Sequence, residues 1–289
     1  MTGYRSLLMP LGLGGDAAER ITGALAVAKH FEAHLQLLFT YVSPRQSIPE
    51  DIFGMSKDAM HGLAEAADRH AEEVGTDLHA QFLELCQRQG VAVAERPAAR
   101  GAARGATAAW RQANGLRSRL IALHGRLADL IVLSRPTQAR PSASFEAALL
   151  ETGKPLLLMP RTQQTFKADR ILVGWNGSRE AARAVQDALP MLARAKSVVL
   201  VSTEDRAQAD PSLDDAQAYL SMHEVPVAAE ILKPDSHHIG AALIETARAK
   251  GADLMVIGGY SRPRMREMIF GGVTLEILAA VDIPVLMAH

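Results

Sequence analysis

The sequence predicts an α/β protein made of two tandem domains, each with a mostly parallel sheet flanked by helices. Three observations lead to this prediction: a length of 289 residues, short apolar runs that alternate with segments of helical period, and an internal repeat. A single hydrophobic core seldom grows beyond about 250 residues, so this length favours two domains. Strands covered by helices on both faces are continuously apolar, which matches the short runs seen here.

The internal repeat consists of apolar segments that occur in the same order in both halves. The three pairs are residues 4–11 with 169–176, 128–133 with 252–257, and 154–159 with 283–287. Alternating strands and helices are joined by right-handed β-α-β crossovers, which produce a doubly wound sheet. The repeat therefore predicts one such domain in residues 1–160 and a second in 168–289, joined by the polar segment 161–167.

Helix signals lie between the apolar runs. Asp16 followed by Glu19 resembles a capping box at the start of the first helix, and Ser178 is placed to cap the first helix of the second half. Pro190 interrupts that second helix, where we expect a kink. The first half is longer than the second, and its excess, residues 48–89, is rich in Ala, Glu, His and Leu. We expect one long or two short additional helices there.

Composition and charge exclude several classes of protein. The formal net charge of -1 at pH 7 argues against a general nucleic-acid-binding protein, which needs a clear basic excess. The N-terminus has no signal-peptide pattern and every apolar run is too short to span a membrane, so we expect a cytoplasmic protein without membrane association. The single cysteine, Cys86, has no partner for an intramolecular disulfide, and we interpret it as a buried structural thiol.

One loop of the second half carries the clearest functional signal. It follows the apolar run 254–257, and its candidate residues are Gly258, Ser261, Arg262, Gly271, Gly272 and Thr274. Ligands of doubly wound sheets bind beyond the carboxyl ends of the strands, where loops and helix N-termini present backbone N–H groups to anions. Glycine allows the backbone to approach a phosphate closely, with dihedrals that a Cβ hinders. The loop is therefore a candidate phosphate-binding site.

This loop resembles that of the universal stress protein family, whose ATP-binding members have Gly, two residues, Gly, nine residues, Gly, and then Ser or Thr. Gly258 and Gly271 keep this spacing, whereas Ser261 stands at the second Gly and Gly272 at the Ser or Thr. Thr274, two residues further on, is a candidate for the missing hydroxyl. The resemblance extends over nearly the whole chain by strand order, and it implies two Rossmann-like domains of the adenine nucleotide alpha hydrolase type.

A second motif departs from the family pattern at the end of the opening strand of the second half. Family members usually have Asp-Gly-Ser there, and this sequence has Asn176, Gly177 and Ser178. The carboxylate that the family uses on the adenosine side has thus become an amide. Arg262 and two further arginines enter the loop, and a guanidinium that reaches the groove can offset a lost backbone contact by charge-assisted bonding to phosphate. The alternative is that these arginines are solvated surface charges.

The corresponding loop of the first half, residues 134–144, contains no glycine, so it should not hold phosphate as the family does. Residues 12–17 of the first half formally match the Gly-rich dinucleotide fingerprint. A nicotinamide site also needs an acidic residue at the end of the next strand, and residues 34–42 offer none. We interpret residues 12–17 as a Gly-rich turn between a strand and a helix.

The resemblance implies a stress-response protein that binds an adenine nucleotide, ATP or AMP with Mg²⁺, in its second half. The implied contacts are Asn176, Ser178 and the loop residues named above. Neither a Walker-type loop nor a nucleophile elbow is present, and no general base stands beside a nucleophile. We therefore expect no catalytic residues, no metal site of the protein's own and at most slow ATP hydrolysis.

The resemblance also bears on assembly. Domains of the family commonly pair through their last strands, which implies that residues 156–159 and 285–287 pair within this chain as a pseudo-dimer. A homodimer or another protein partner is compatible with the sequence. A second hypothesis is that both halves have lost nucleotide binding and that the protein is an interaction module for protein partners. The departures at Asn176 and Ser261 favour it, and the kept spacing of Gly258 and Gly271 argues against it.

Overall fold

The computed structural model describes residues 3–13, 16–43, 57–96, 105–136, 140–233, 238–260 and 272–289. The first half contains β1 (Ser6–Gly12), α1 (Ala17–Phe31), β2 (His34–Tyr41), α2 (Lys57–Gln89), β3 (Ala92–Val93), β4 (Thr107–Asn114), α3 (Arg117–Gly125), β5 (Leu130–Ser134), α4 (Ala143–Leu150) and β6 (Leu156–Met159). The second half contains β7 (Arg170–Gly174), α5 (Arg179–Leu192), β8 (Ser197–Thr203), α6 (Glu204–Ala207), α7 (Leu213–Met222), β9 (Val227–Leu232), α8 (Ile239–Ala249), β10 (Leu254–Gly258), α9 (Gly272–Ala280) and β11 (Val285–Ala288).

The described strands form one 11-stranded sheet in the order β3-β4-β2-β1-β5-β6-β11-β10-β7-β8-β9. The order β4-β2-β1-β5-β6 in the first half matches β9-β8-β7-β10-β11 in the second, and β3 is an additional edge strand. Neighbouring strands within each half are parallel. The predicted α/β class, with mostly parallel sheets flanked by helices, is therefore confirmed.

The two half-sheets meet at one antiparallel pair of strands, β6 and β11. Leu157 is opposite Leu286, and the flanking residues of both strands continue this register. Leu157 and Leu286 have no solvent-exposed surface, because helices cover both faces of the sheet at this point. The pseudo-dimer pairing implied by the family resemblance is confirmed.

Local signals for the helices are partly confirmed. Ser178 caps α5, since its Oγ accepts a hydrogen bond from the backbone N–H of Ala181 at 3.2 Å. Asp16 occupies the N-cap position of α1, but its side chain makes no capping hydrogen bond, so the predicted capping box is wrong. Its carboxylate acts instead on Arg20, one turn further along the helix.

The described part of the extra segment, residues 57–89, forms one long helix, α2, which packs on the outer strand β4. Phe82 of α2 is fully buried, and its ring lies 5.8 Å from that of Trp110 in β4. Cys86, one turn further along, is also fully buried, and burial raises the pKa of its thiol to about 11. The interpretation of Cys86 as a structural thiol is confirmed. In the described part of the chain, no helix has both the length and the apolar character that crossing a bilayer requires.

Contacts of side chains outside the β6–β11 pair also tie the two halves together. Phe166, in the segment between the halves, is buried and packs edge-on against His30 with ring centroids 5.0 Å apart. The hydroxyl of Tyr4 donates a hydrogen bond to the backbone oxygen of Asp187 in α5. Burial first, and then the carboxylates of Asp187 and Asp129, raise the pKa of Tyr4 far above its ordinary value.

We expect the stability of the protein to fall steeply in alkali because of Tyr4. In the unfolded chain this phenol ionises at about pH 10, whereas the folded protein keeps it neutral. Above that pH, unfolding therefore releases a proton. Each further pH unit then lowers the free energy of unfolding by up to about 1.4 kcal/mol, and below about pH 10 the effect vanishes. Urea unfolding should therefore show a steeper alkaline loss for the parent than for Tyr4→Phe. Tyr219→Phe, on a surface helix, is the control. Superimposable profiles for the parent and Tyr4→Phe would contradict this prediction.

Candidate functional site

The candidate site lies where β7 and β10 end. These strands are parallel neighbours, with Val173 opposite Val256, and the chain continues from β7 to β8 on the other side. The strand order therefore reverses at β7, which makes the space beyond the carboxyl ends of β7 and β10 a topological switch point. Doubly wound sheets bind their ligands in such a crevice.

A short turn between β7 and α5 forms one wall of the crevice. Gly177 has a φ of 70° in this turn, in the left-handed region that favours glycine. The Oδ1 of Asn176 accepts a hydrogen bond from the backbone N–H of Ser178 at 3.1 Å. An aspartate at position 176 can accept the same hydrogen bond, so the amide keeps the turn but removes a negative charge from it. The hydroxyl of Ser178 accepts from the backbone as the helix cap, and its hydrogen remains available for donation.

Gly258, the last residue of β10, lies directly against the start of α5. A Cβ at this position would be 2.6 Å from the backbone nitrogen of Ala181 and 2.7 Å from the carbonyl carbon of Glu180. Gly258 does not have a positive φ, so the requirement for glycine is steric. The structure thus brings Gly258 and the Ser178-capped end of α5 together, and packing of the strand on the helix is sufficient reason for the glycine.

Sequence reasoning missed a buried carboxylate at this contact, that of Glu180. Its side chain is 3% exposed, and its Oε1 lies 2.6 Å from the Nε of Arg179. Burial raises the pKa of Glu180, but hydrogen bonds from Arg179 and the backbone, with nearby positive charge, outweigh burial and hold the pKa below its usual value. An ionised Glu180 places a carboxylate, paired with the guanidinium of Arg179, in the first turn of α5. The sequence signal was an acidic residue in the first turn after a cap.

The other wall of the crevice begins at Gly259 and Tyr260. Tyr260 has a φ of 56°, which is uncommon for a residue with a side chain. Its ring is buried and packs edge-on against Phe145 of the first half, with centroids 6.3 Å apart. The backbone oxygen of Gly259 lies 3.0 Å from Nδ1 of His289. The entrance to the glycine-containing loop is thus shaped partly by the first half, which sequence spacing could not reveal.

The far end of the loop leads into α9. Gly272 is the first residue of this helix and is exposed, and a Cβ added to it would meet no atom within 4 Å. Thr274, two residues further on, is 3% exposed. Three predicted site residues, Ser261, Arg262 and Gly271, lie outside the described residues. The structure therefore places Asn176, Ser178 and Gly258 around the start of α5, and it places Gly272 and Thr274 in the first turn of α9.

A third helix, α8, begins at the same edge of the sheet, and a carboxylate from α9 caps it. The Oε2 of Glu276 accepts a hydrogen bond from the backbone N–H of Ala241 at 3.0 Å. Gly240 permits this contact, since a Cβ there would lie 2.6 Å from Cβ of Glu276. Protein side chains therefore satisfy N–H groups at the starts of both α5 and α8. Across the described ranges, no three His, Cys, Asp or Glu side chains gather into a metal-binding group.

Comparison with known proteins identifies relatives of both the sequence and the fold. Residues 167–289 match the model of the universal stress protein family. A universal stress protein of Synechocystis is 23% identical over 168 residues, which make up 55% of this chain and 57% of that protein. The chain thus matches little more than half of that relative's length.

Two solved structures cover nearly the whole chain. A universal stress protein from Archaeoglobus fulgidus superposes with a TM-score of 0.65 at 14% identity, covering 98% of this chain and 96% of that one. A putative universal stress protein from Pseudomonas aeruginosa superposes with a TM-score of 0.57 at 15% identity, covering 99% and 94%. At these identities the likeness establishes the fold, and it extends across both halves.

Proposed function

Because residues 167–289 match the universal stress protein family and the fold repeats in the first half, we propose that this chain is a tandem universal stress protein whose second half binds an adenine nucleotide. The ligand is ATP or AMP, with Mg²⁺ accompanying the triphosphate, and the protein has little or no catalytic activity. One observation carries the proposal: the segment with the family's glycine spacing starts at Gly258, where β10 ends beside the switch point, and leads into α9 at Gly272. A strand, loop and helix in this order form the context that a phosphate-binding motif requires.

The occupied helix ends support a particular position for the phosphates. Ser178 caps α5, Glu276 caps α8, and the carboxylate of Glu180 lies beside the start of α5. Negative charge is favourable at a helix N-terminus whose N–H groups are free, whereas side chains already satisfy N–H groups at the starts of α5 and α8. We therefore assign the phosphates to the loop and the first turn of α9, and the adenosine to the turn that contains Asn176.

A second candidate function, an interaction module without nucleotide, is favoured by the environment of Thr274. This residue was the candidate for the family's missing hydroxyl, and its side chain is 3% exposed. A buried hydroxyl must move before it can contact a phosphate. Under this candidate the chain acts through a protein partner or a homodimer.

We also propose the domain boundaries 1–160 and 168–289 and a cytoplasmic location. Each proposed domain supplies one of the two matching strand orders, and the β6–β11 pair is the junction between them. Packing of Phe166 on the first half indicates that the segment between the domains is held against the protein surface.

The proposed nucleotide site is tested through the fluorescence of Trp175, next to Asn176. This indole is 6% exposed and its Nε1 donates to the backbone oxygen of Pro211 at 3.3 Å. The chain has 2 tryptophans, so the titration is made in a Trp110→Phe background. We expect Mg·ATP to change the emission of Trp175 with saturation.

A variant that restores the family pattern provides the sharper comparison. Asn176→Asp combined with Ser261→Gly should bind Mg·ATP roughly tenfold more tightly than the parent, because a charged acceptor and a permissive backbone are regained. Asn176→Ala is the opposite control and should weaken binding. A flat emission signal with the parent and with the restored variant, both for Mg·ATP and for AMP, would favour the interaction module.

A further inference from the structure

The crevice of the first half, beyond the ends of β1 and β2, contains an arginine side chain. An added Cβ on Gly12, the last residue of β1, would lie 1.6 Å from Nη2 of Arg117, so the guanidinium rests directly on this glycine. The Nε of Arg117 donates to Oγ1 of Thr40 at 3.2 Å, and that hydroxyl donates to the backbone oxygen of Leu11 at 3.2 Å. Arg117 is thereby held across the ends of two strands; the residue as a whole is exposed, while partial burial of its guanidinium lowers the pKa of that group.

A second arginine reaches this region from α1, and a third from the segment after β6. Arg20 is partly buried in the first turns of α1, and its Nε donates to the backbone oxygen of Asp16 at 3.1 Å. Gly23, nearly one turn further along, lies so close to the segment after β6 that a Cβ would be 2.7 Å from the backbone oxygen of Gln163. This close packing brings Arg161, which is also partly buried, alongside α1.

The guanidinium groups of Arg117 and Arg161 both act electrostatically on Arg20. The pKa of Arg20 is lowered, first by burial and then by the positive charges of Arg161 and Arg117. The carboxylate of Asp16 acts in the opposite direction, and its effect is the smallest of the three charges. Three like charges from separate elements converge here, an arrangement that an anion between them would stabilise.

We propose that Arg20, Arg117 and Arg161 form a binding site for a phosphate-bearing anion in the first half of the protein. The guanidinium groups supply planar, bidentate donors, whereas the loop of the second half would use backbone N–H groups. The chemistry fits inorganic phosphate, pyrophosphate or the phosphate group of a small metabolite. It also gives the Gly-rich turn at Gly12 a role, because glycine there leaves room for the guanidinium. The inference does not depend on nucleotide binding in the second half.

Calorimetric titration of pyrophosphate into the full chain tests this inference. We expect saturable binding, weakened at least about tenfold in Arg117→Gln and in Arg161→Gln, since each removes a charge-assisted contact. Arg119→Gln is the matched control, because Arg119 is exposed on the same helix as Arg117. It should bind like the parent. Phosphate in place of pyrophosphate then distinguishes a site for one phosphoryl group from a site for two.

Thermal unfolding adds a readout that distinguishes binding from a structural role. Without ligand, Arg161→Gln should unfold at the same or a higher temperature than the parent because repulsion is relieved, and it should lose the stabilisation by pyrophosphate. Gly271→Asp, which alters the second half, should retain full pyrophosphate binding. Absence of saturable binding by the parent, equal weakening in Arg119→Gln, or loss of binding in Gly271→Asp would each overturn the proposal. If Arg117→Gln does not fold, the pyrophosphate binding of Arg161→Gln tests the proposal by itself.

Discussion

Gly258→Ala will lower the free energy of unfolding by about 3 kcal/mol, whereas Gly272→Ala will leave it within about 0.5 kcal/mol of the parent. A methyl group on Gly258 meets the backbone of Glu180 and Ala181 at 2.7 and 2.6 Å, and backbone atoms cannot move aside without shifting α5 or β10. A methyl group on Gly272 meets nothing within 4 Å and lies at the start of a helix, where alanine is acceptable.

Urea unfolding of the two variants provides the measurement, with circular dichroism to check that both reach the native fold. Gly258 and Gly272 belong to the same candidate motif, so an explanation based on phosphate contact alone predicts little effect of either substitution on stability without ligand. Similar unfolding free energies for both variants would therefore contradict the steric assignment of Gly258. A large loss for Gly258→Ala alone would mean that this variant is unsuitable for testing nucleotide binding.

Leu157→Ala and Leu286→Ala will each lower the free energy of unfolding by about 3 kcal/mol, and their effects will not be additive. The two residues face each other in the β6–β11 pair and are fully buried. Each truncation leaves a cavity in the junction of the half-sheets, and the second truncation enlarges a cavity that already exists. We expect a coupling energy of about 1 kcal/mol between them.

A double-mutant cycle measured by urea unfolding gives this coupling. Leu200→Ala in β8 is the control, because Leu200 is equally buried but lies on the far side of β7 from the junction. Combined with Leu157→Ala it should be additive to within about 0.5 kcal/mol. Additive effects for Leu157 and Leu286, or two separate unfolding transitions, would contradict a continuous sheet within one chain.

Much of the fold could be predicted from the sequence, because the signals for it are local or repeated. Continuous apolar runs predict β1, β2, β5, β6, β7, β10 and β11, and the paired order of landmarks indicates that one unit occurs twice. The outer strand β4 was not predicted, because its second half is polar and largely exposed. The excess residues of the first half were predicted as one long or two short helices, and α2 is a single helix of 33 residues. The β6–β11 pairing came from the family resemblance, since periodicity does not specify which strands of two sheets meet.

The site was harder to predict because its determinants are contacts between residues far apart in the chain. Spacing predicts Gly258 as a motif glycine. The steric reason for that glycine is the backbone of Glu180, which is distant in sequence and could not be predicted from spacing. The convergence of Arg20, Arg117 and Arg161 likewise depends on how β1, α1 and α3 meet. Asp16 shows that a local signal can also fail: it occupies the N-cap position of α1 without a capping hydrogen bond, and its carboxylate acts on Arg20 instead.

Binding of an adenine nucleotide by the second half is tested most directly by calorimetric titration of Mg·ATP into the purified protein. The titration is repeated on Gly271→Asp, which places a carboxylate in the loop assigned to the phosphates, and carried-over nucleotide is assayed before each run. We expect saturable binding at micromolar nucleotide in the parent and its loss in the variant. Absence of heat in a parent protein that carries no nucleotide would contradict the proposed function and direct the search to protein partners.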